Sequence, residues 1–278
     1  MQRGHVSLRE LAPPVTPPQR VDAVLREQGC AVLSAAGLHA LIGAAPGALD
    51  AWRGHWDRLA PDTYLRDGGR YRQRRHGSWV VEGDALHAVP HRAHWQSLDY
   101  NALHGGIERW FEPLEPAMTN EPLWAPLLGT LAARASALHG ADAAPQAHPA
   151  PAPRGGAPAL GRPGGGPWFV EVHPFRIDTA GGIGRPTPEG AHRDGVDLVA
   201  VMLVARDNIK GGETRVFDID GPAGQRFTLT EPWTALLLDD ARVIHETTPI
   251  QPRDPSRPGH RDTLVVTLRA GGFQGPQE

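Results

Sequence analysis

The chain has 278 residues, 40% of them hydrophobic, with eight Trp and a formal net charge of -3. That length suits one large domain or two small ones with a sizeable core, and the near-neutral charge gives no reason to expect nucleic acid or a membrane surface as partner. The single cysteine, Cys30, excludes an intrachain disulfide, a thiolate zinc site and an iron–sulfur cluster.

Met1-Gln2-Arg3-Gly4-His5 has no apolar segment after its basic residue, so no signal peptide is expected. No apolar run is long enough to span a bilayer, and a cytoplasmic location is the expectation. Residues 13 to 18 are proline-rich and read as an extended arm. Helical spacing over 21 to 28 ends at Gly29. The apolar setting Cys30-Ala31-Val32-Leu33 predicts a buried, inert thiol. A second helix is expected over 34 to 42, capped by Ser34 and ended at Gly43, and a third over 49 to 59. Residues 1 to 67 thus read as an N-terminal helical layer. Residues 71 to 81 look like strand or hairpin, 87 to 100 are irregular, and 121 to 138 read as a helix interrupted early by Pro122 and Pro126.

The Ala/Pro/Gly-rich stretch 140 to 167 lacks an apolar face and is expected to be a flexible surface insertion. Short strands follow at 168 to 177, 198 to 204, 214 to 219, 225 to 229, 234 to 238, 243 to 245 and 263 to 268. Turns separate them at Gly181-Gly182, Lys210-Gly211-Gly212, Asp220-Gly221-Pro222 and Asp239-Asp240. Such spacing predicts a β-sandwich or jelly-roll barrel over 168 to 272.

His192-Arg193-Asp194 puts an imidazole and a carboxylate two residues apart, hence on one side of an extended segment. With the distant His245 they would make a facial set of three ligands with open positions, as in non-haem Fe(II) oxygenases. The same three residues could hold zinc, and His-x-Asp also occurs by chance. The neighbouring residues carry further information. Lys210-Gly211-Gly212-Glu213-Thr214 lies between the ligands on a turn into a strand. Beyond His245, Arg261 and Thr263 share a strand face and together can clamp a carboxylate.

The ordered His-x-Asp, Gly-Gly-Glu-Thr, His and Arg resemble the Fe(II)/2-oxoglutarate-dependent dioxygenases. His173-Pro174-Phe175-Arg176-Ile177, residues 188 to 197, residues 206 to 213 and His245-Glu246-Thr247-Thr248-Pro249-Ile250 resemble one bacterial subgroup, as do residues 100 to 111. That subgroup includes free amino-acid hydroxylases similar to L-isoleucine 4-hydroxylase and a biofilm and peroxide-stress protein. The resemblance spans nearly the whole chain except 140 to 167.

It implies a mainly β fold with α: a double-stranded β-helix (jelly roll, cupin-like) core with an N-terminal helical layer, forming a single dioxygenase domain. It implies that His192, Asp194 and His245 bind Fe(II), and that Arg261, helped by Thr263, meets the distal carboxylate of 2-oxoglutarate. Arg253 and Arg257 are rivals on a proline-rich loop. The implied reaction uses O2, releases succinate and CO2, and hydroxylates a free aliphatic L-amino acid as the small-molecule substrate. Neither ligand histidine is expected to act as general base. A homodimer is compatible with the resemblance. Two alternatives remain at this point: a stress- or biofilm-associated binding protein on the same fold, and a zinc hydrolase.

Arg70, Arg72 and Arg74 alternate along a strand, and Arg72 and Arg74 are the chosen substrate contacts, against a solvated basic edge strand. Arg176 faces inward or makes a structural ion pair. His87, His91 and His94 are expected in surface or core roles, since Pro90 breaks any helix that would align them. His173 is expected to be packed in its strand.

Overall fold

A computed structural model of the chain describes residues 10–139 and 166–276. The first nine residues, where the signal-peptide reading falls, and 140 to 165, nearly all of the expected insertion, lie outside the described residues.

Near the N-terminus, α1 (Val21–Gln28) ends where Gly29 takes a left-handed φ of 71°. Strand β1 (Cys30–Leu33) follows, then α2 (Ala35–Leu41), capped by the Ser34 hydroxyl accepting from Gly37 N–H. Cys30 is buried, and burial pushes its thiol up to about 11. Ala48–Arg58, expected as an ordinary helix, is wound as 3-10. Tertiary packing overrides propensity here: the Trp52 ring lies tilted against Trp124 and edge-on to Trp233, and Trp56 also meets Trp233 edge-on.

Short strands β2 (Ala60–Pro61) and β3 (Arg72–Arg74) lead to β4 (Gly77–Glu82) and β5 (Ala85–Ala88). A single turn, α3 (Pro116–Thr119), precedes α4 (Trp124–Leu138). Pro126 sits in the first turn of α4, where its missing N–H would have had no partner.

The remaining strands are β6 (Trp168–Asp178), β7 (Leu198–Asp207), β8 (Ile209–Gly211), β9 (Thr214–Asp218), β10 (Gly224–Phe227), β11 (Ala235–Asp239), β12 (Val243–Thr247), β13 (Ile250–Pro252) and β14 (His260–Ala270). Among the described residues, nine strands form one sheet, with the path β1-β11-β7-β14-β6-β3-β2 and with β4 and β5 joined through β6. Opposing it are two small sheets, β10-β9-β12 and β13-β8. The pairing is antiparallel throughout, as in a jelly roll.

Both faces of the large sheet are covered, which explains its near-continuous apolar runs. Along β7, Leu198, Ala200, Met202 and Val204 face the helices, where Leu38, Leu127 and Leu131 pack. The alternate residues Val199 and Leu203 face the small sheets with Val216, Phe227 and Val243.

Trp56 ties the helical layer to the sheet. It is fully buried, and its Nε1 donates to Phe175 O at 3.0 Å and Thr263 O at 3.2 Å, beside the irregularity in β14 at Asp262/Thr263. Trp56→Ala is expected to destabilise the protein by about 3–5 kcal/mol, read as a lower urea midpoint at unchanged slope.

No helix among the described residues is long and apolar enough to cross a membrane.

Candidate functional site

Backbone pairing brings the separated residues of the His-x-Asp and His motifs together. His192 N–H donates to His245 O at 3.0 Å, and His245 N–H returns to His192 O at 2.9 Å. His245 lies on β12 opposite Val216 of β9. The Gly211-Gly212 turn sets the start of β9. Both glycines have positive φ, and a Cβ on Gly211 would lie 2.2 Å from Pro249 O.

The candidate ligand atoms of His192, Asp194 and His245 all lie within 4.8 Å of one another. His192 Nδ1 bonds Gly190 O at 2.9 Å, which leaves Nε2 as the acceptor facing Asp194. His192 Nε2 and His245 Nε2 stand 3.8 and 3.9 Å from the two oxygens of Asp194, beyond hydrogen-bond range. Burial and the neighbouring His192 hold His245 well below the usual histidine range. Burial also pulls on His192, but the carboxylates of Asp194 and Glu189 outweigh it and raise its pKa. Two imidazoles and one carboxylate around a gap of this size fit a divalent ion.

Asp194 is held from two sides by residues that the sequence reading missed. The fully buried Asp240 accepts from the backbone N–H groups of Asp194 at 2.9 Å, Gly195 at 2.7 Å and Val196 at 3.1 Å. Burial, then the charge of Asp194, push Asp240 up to about 7. Gln96 Nε2 donates to Asp194 Oδ1 at 3.1 Å. The Gln96 amide is itself oriented, since its Oε1 accepts from Asn101 Nδ2 at 3.1 Å and Arg109 Nη2 at 2.8 Å.

Arg261 lies on β14 and lines the same cavity, with Thr263. It is 4% exposed, and its Nε and Nη2 are buried without a hydrogen-bond partner. Burial, then the like charge of Arg206, lower it to about 10. The adjacent Asp262 is taken by Arg176, at 2.8 and 2.7 Å, and Arg176 also meets Asp57. Arg176 is therefore a structural ion pair. A buried guanidinium with free donors fits the distal carboxylate of 2-oxoglutarate. Arg257 is exposed and paired with Asp207, and Arg253 is 68% exposed at its side chain.

Arg72 and Arg74 also line the cavity, at 6% and 4% exposure. β3 is flanked by β2 and β6, so these two arginines do not sit on a solvated basic edge. Arg72 Nε pairs with the buried Asp62 at 2.7 Å. Arg74 is sandwiched between Phe111, at 3.8 Å, and Phe175, at 4.3 Å. Burial holds it well below the usual arginine range.

A second buried group with metal-binding capacity joins His76, His94, Glu171 and His173. Its donors are largely occupied by the protein. Glu171 Oε1 accepts from His76 Nε2 at 3.0 Å, Arg92 Nη1 at 2.8 Å and His94 Nδ1 at 3.4 Å. His173 Nδ1 accepts from Arg74 Nη2 at 2.7 Å. Two guanidiniums on these donors disfavour a cation there, so His94 and His173 serve the core.

Comparison with known proteins agrees with a jelly roll built for oxidative chemistry. Residues 53–267 match the family described as 2OG-Fe dioxygenase, and the chain belongs to that family. Its members are oxidoreductases that use Fe(II), 2-oxoglutarate and O2. The chain is similar to the crystal structure of a BsmA homologue from Methylobium petroleophilum: 49% identity, 97% of this chain and 100% of that one, with a TM-score of 0.81. It shares its fold with the protein called IDO from Bacillus thuringiensis, at 15% identity over 96% of this chain and 100% of that one, TM-score 0.67. It also shares it with TqaL, an Fe(II)/α-ketoglutarate-dependent dioxygenase, at 16% identity over 93% of this chain and 90% of that one, TM-score 0.61. No curated protein matches the chain.

Proposed function

We propose that this protein hydroxylates a free aliphatic L-amino acid, with His192, Asp194 and His245 holding Fe(II) and Arg261 and Thr263 holding 2-oxoglutarate. The observation that carries the reading is one cavity that joins the three candidate ligands to a partnerless buried Arg261 and, two strands along the same sheet face, to Arg72 and Arg74. When bound, the iron and 2-oxoglutarate supply the oxidising power, converting the cosubstrate and O2 to succinate and CO2 with one oxygen atom left in a substrate C–H bond.

The chain's own residues do the positioning. Gly190 O fixes the His192 tautomer, and Gln96 and Asp240 fix the carboxylate and backbone of Asp194. Arg261 orients the cosubstrate by its far end, with the Thr263 hydroxyl as helper. Arg72 and Arg74 face the substrate as carboxylate contacts. Each keeps one buried nitrogen without a partner, Nη2 on Arg72 and Nε on Arg74, and of the two Arg72 is the one neutralised by a carboxylate, Asp62. Phe175, Val196, Val201 and Val265 supply the apolar part of a largely polar lining.

The test is succinate formation with each of the twenty amino acids, Fe(II) and 2-oxoglutarate, the product being identified by mass spectrometry. A hydroxylated aliphatic amino acid at a matching rate is the expected result. Succinate without any hydroxylated amino acid would sink the substrate assignment. Gln96→Ala is expected to weaken Fe(II) binding by about 10- to 100-fold, the usual cost of losing a group that orients a ligand. Anaerobic metal titration, with circular dichroism to confirm the fold, checks this.

A further inference from the structure

The lining of the cavity that holds the three candidate ligands carries buried charges of both signs, each with an atom left without a hydrogen-bond partner. Arg109 is 2% exposed; its Nη2 is spent on Gln96, but its Nε is buried with no partner. Arg74 Nε is in the same condition. Neither arginine has a carboxylate within salt-bridge distance among the described residues, whereas Arg72 has Asp62 and Arg92 has Glu171. Glu189 lines the same cavity; its side chain is 10% exposed and its Oε2 is buried with no partner. Its Oε1 contact is His192 Nε2, at 3.5 Å. That nitrogen is the one a metal would take.

Glu189 and Arg109 do not touch, yet Glu189 is close enough to help sustain the Arg109 charge against burial. Buried charges left without partners are costly and persist where a ligand completes them. A cation pair and a carboxylate, near one another but not paired, complement a small molecule carrying both charges.

We propose that Arg109, together with Arg74, receives the α-carboxylate of the substrate and that Glu189 receives its α-ammonium, so that the zwitterionic head of a free amino acid is what the site recognises. This rests on the amino-acid reading above. It adds a specificity rule: an N-acylated amino acid, an amino-acid amide or a deaminated acid lacks one of the two charges, and a peptide does not carry both on one α-carbon. Loss of the Glu189 charge removes the reason to prefer an amine, while the carboxylate contact survives.

The test uses the amino acid turned over fastest in the screen, its deaminated carboxylic acid and its primary amide. The wild type is expected to favour the amino acid over both analogues by at least 30-fold in kcat/KM. Glu189→Gln, nearly identical in shape, is expected to raise KM for the amino acid at least tenfold and to bring its preference over the deaminated acid below threefold. Its affinities for Fe(II) and 2-oxoglutarate should stay within twofold of wild type. Glu189→Asp, which keeps the charge, is expected to recover part of the preference. Arg109→Gln is expected to erase discrimination against the amide.

Unchanged selectivity in Glu189→Gln would overturn the proposal and leave the amino-acid reading standing. So would a fall in Fe(II) affinity equal to the fall in kcat/KM, which would make Glu189 part of the metal site. A wild type that oxidises no free amino acid would overturn both.

Discussion

Arg261→Ala is expected to raise KM for 2-oxoglutarate more than any other substitution outside the metal ligands. Removing one partner of a buried, hydrogen-bonded charge pair costs roughly 2–5 kcal/mol, which corresponds to about 30-fold to several thousand-fold in affinity. The effect is large because Arg261 is buried with Nε and Nη2 free of protein partners, ready for a two-pronged carboxylate contact. Arg261→Lys should recover little, since a point charge cannot reproduce the planar two-pronged contact. Thr263→Val should cost about tenfold or less, the scale of one neutral hydrogen bond. Arg253→Ala and Arg257→Ala should leave KM unchanged, both side chains being exposed. Steady-state titration of 2-oxoglutarate at saturating iron separates these outcomes, and a wild-type KM in Arg261→Ala would remove it from the cosubstrate site.

Asp194→Ala is expected to abolish metal retention and turnover together. Asp194 is the carboxylate of the proposed ligand set and faces both imidazole Nε2 atoms. Without it, two neutral rings remain to hold a hard divalent ion, for which oxygen donors matter. The loss should exceed the roughly 100-fold that removal of an orienting neighbour costs. His192→Ala and His245→Ala should behave alike. The absorption of Co(II) bound in place of iron gives a readout independent of turnover. Full Co(II) binding by Asp194→Ala would send the search for the metal elsewhere, first to Glu171 and the histidines around it.

Much of the fold is written locally. Apolar runs along 198 to 204 and 234 to 238, bounded by turn residues, mark strands whose two faces both turn out to be covered. Gly29 and Ser34 mark a helix end and a helix start through backbone chemistry that acts within a few residues. The His-x-Asp, Gly-Gly-Glu-Thr, His and Arg segments are likewise short, and the structure gathers His192, Asp194, His245 and Arg261 around one cavity.

What escaped the sequence reading depends on contacts between distant segments. Gln96 reaches Asp194 across 98 positions, and Asp240 reaches it across 46. No periodicity links such pairs. Asp240 looked like half of an ordinary Asp-Asp turn, and Arg109 like one more arginine in an arginine-rich chain. The His76, His94, Glu171 and His173 group is invisible for the same reason, since only Glu171 and His173 share a strand, β6. The 3-10 winding of Ala48–Arg58 reflects aromatic packing with residues far along the chain.

The reciprocal backbone bonds between His192 and His245 set the order of events when metal arrives. Because the two rings are already 4.6 Å apart, most of the ordering entropy of the ligand set is lost during folding. Metal capture then becomes a late, local event on a finished scaffold, unlike domains that fold only around their ion. Chelator-treated protein should keep its cooperative unfolding transition, with a melting temperature that rises on adding Fe(II) only as far as mass action requires.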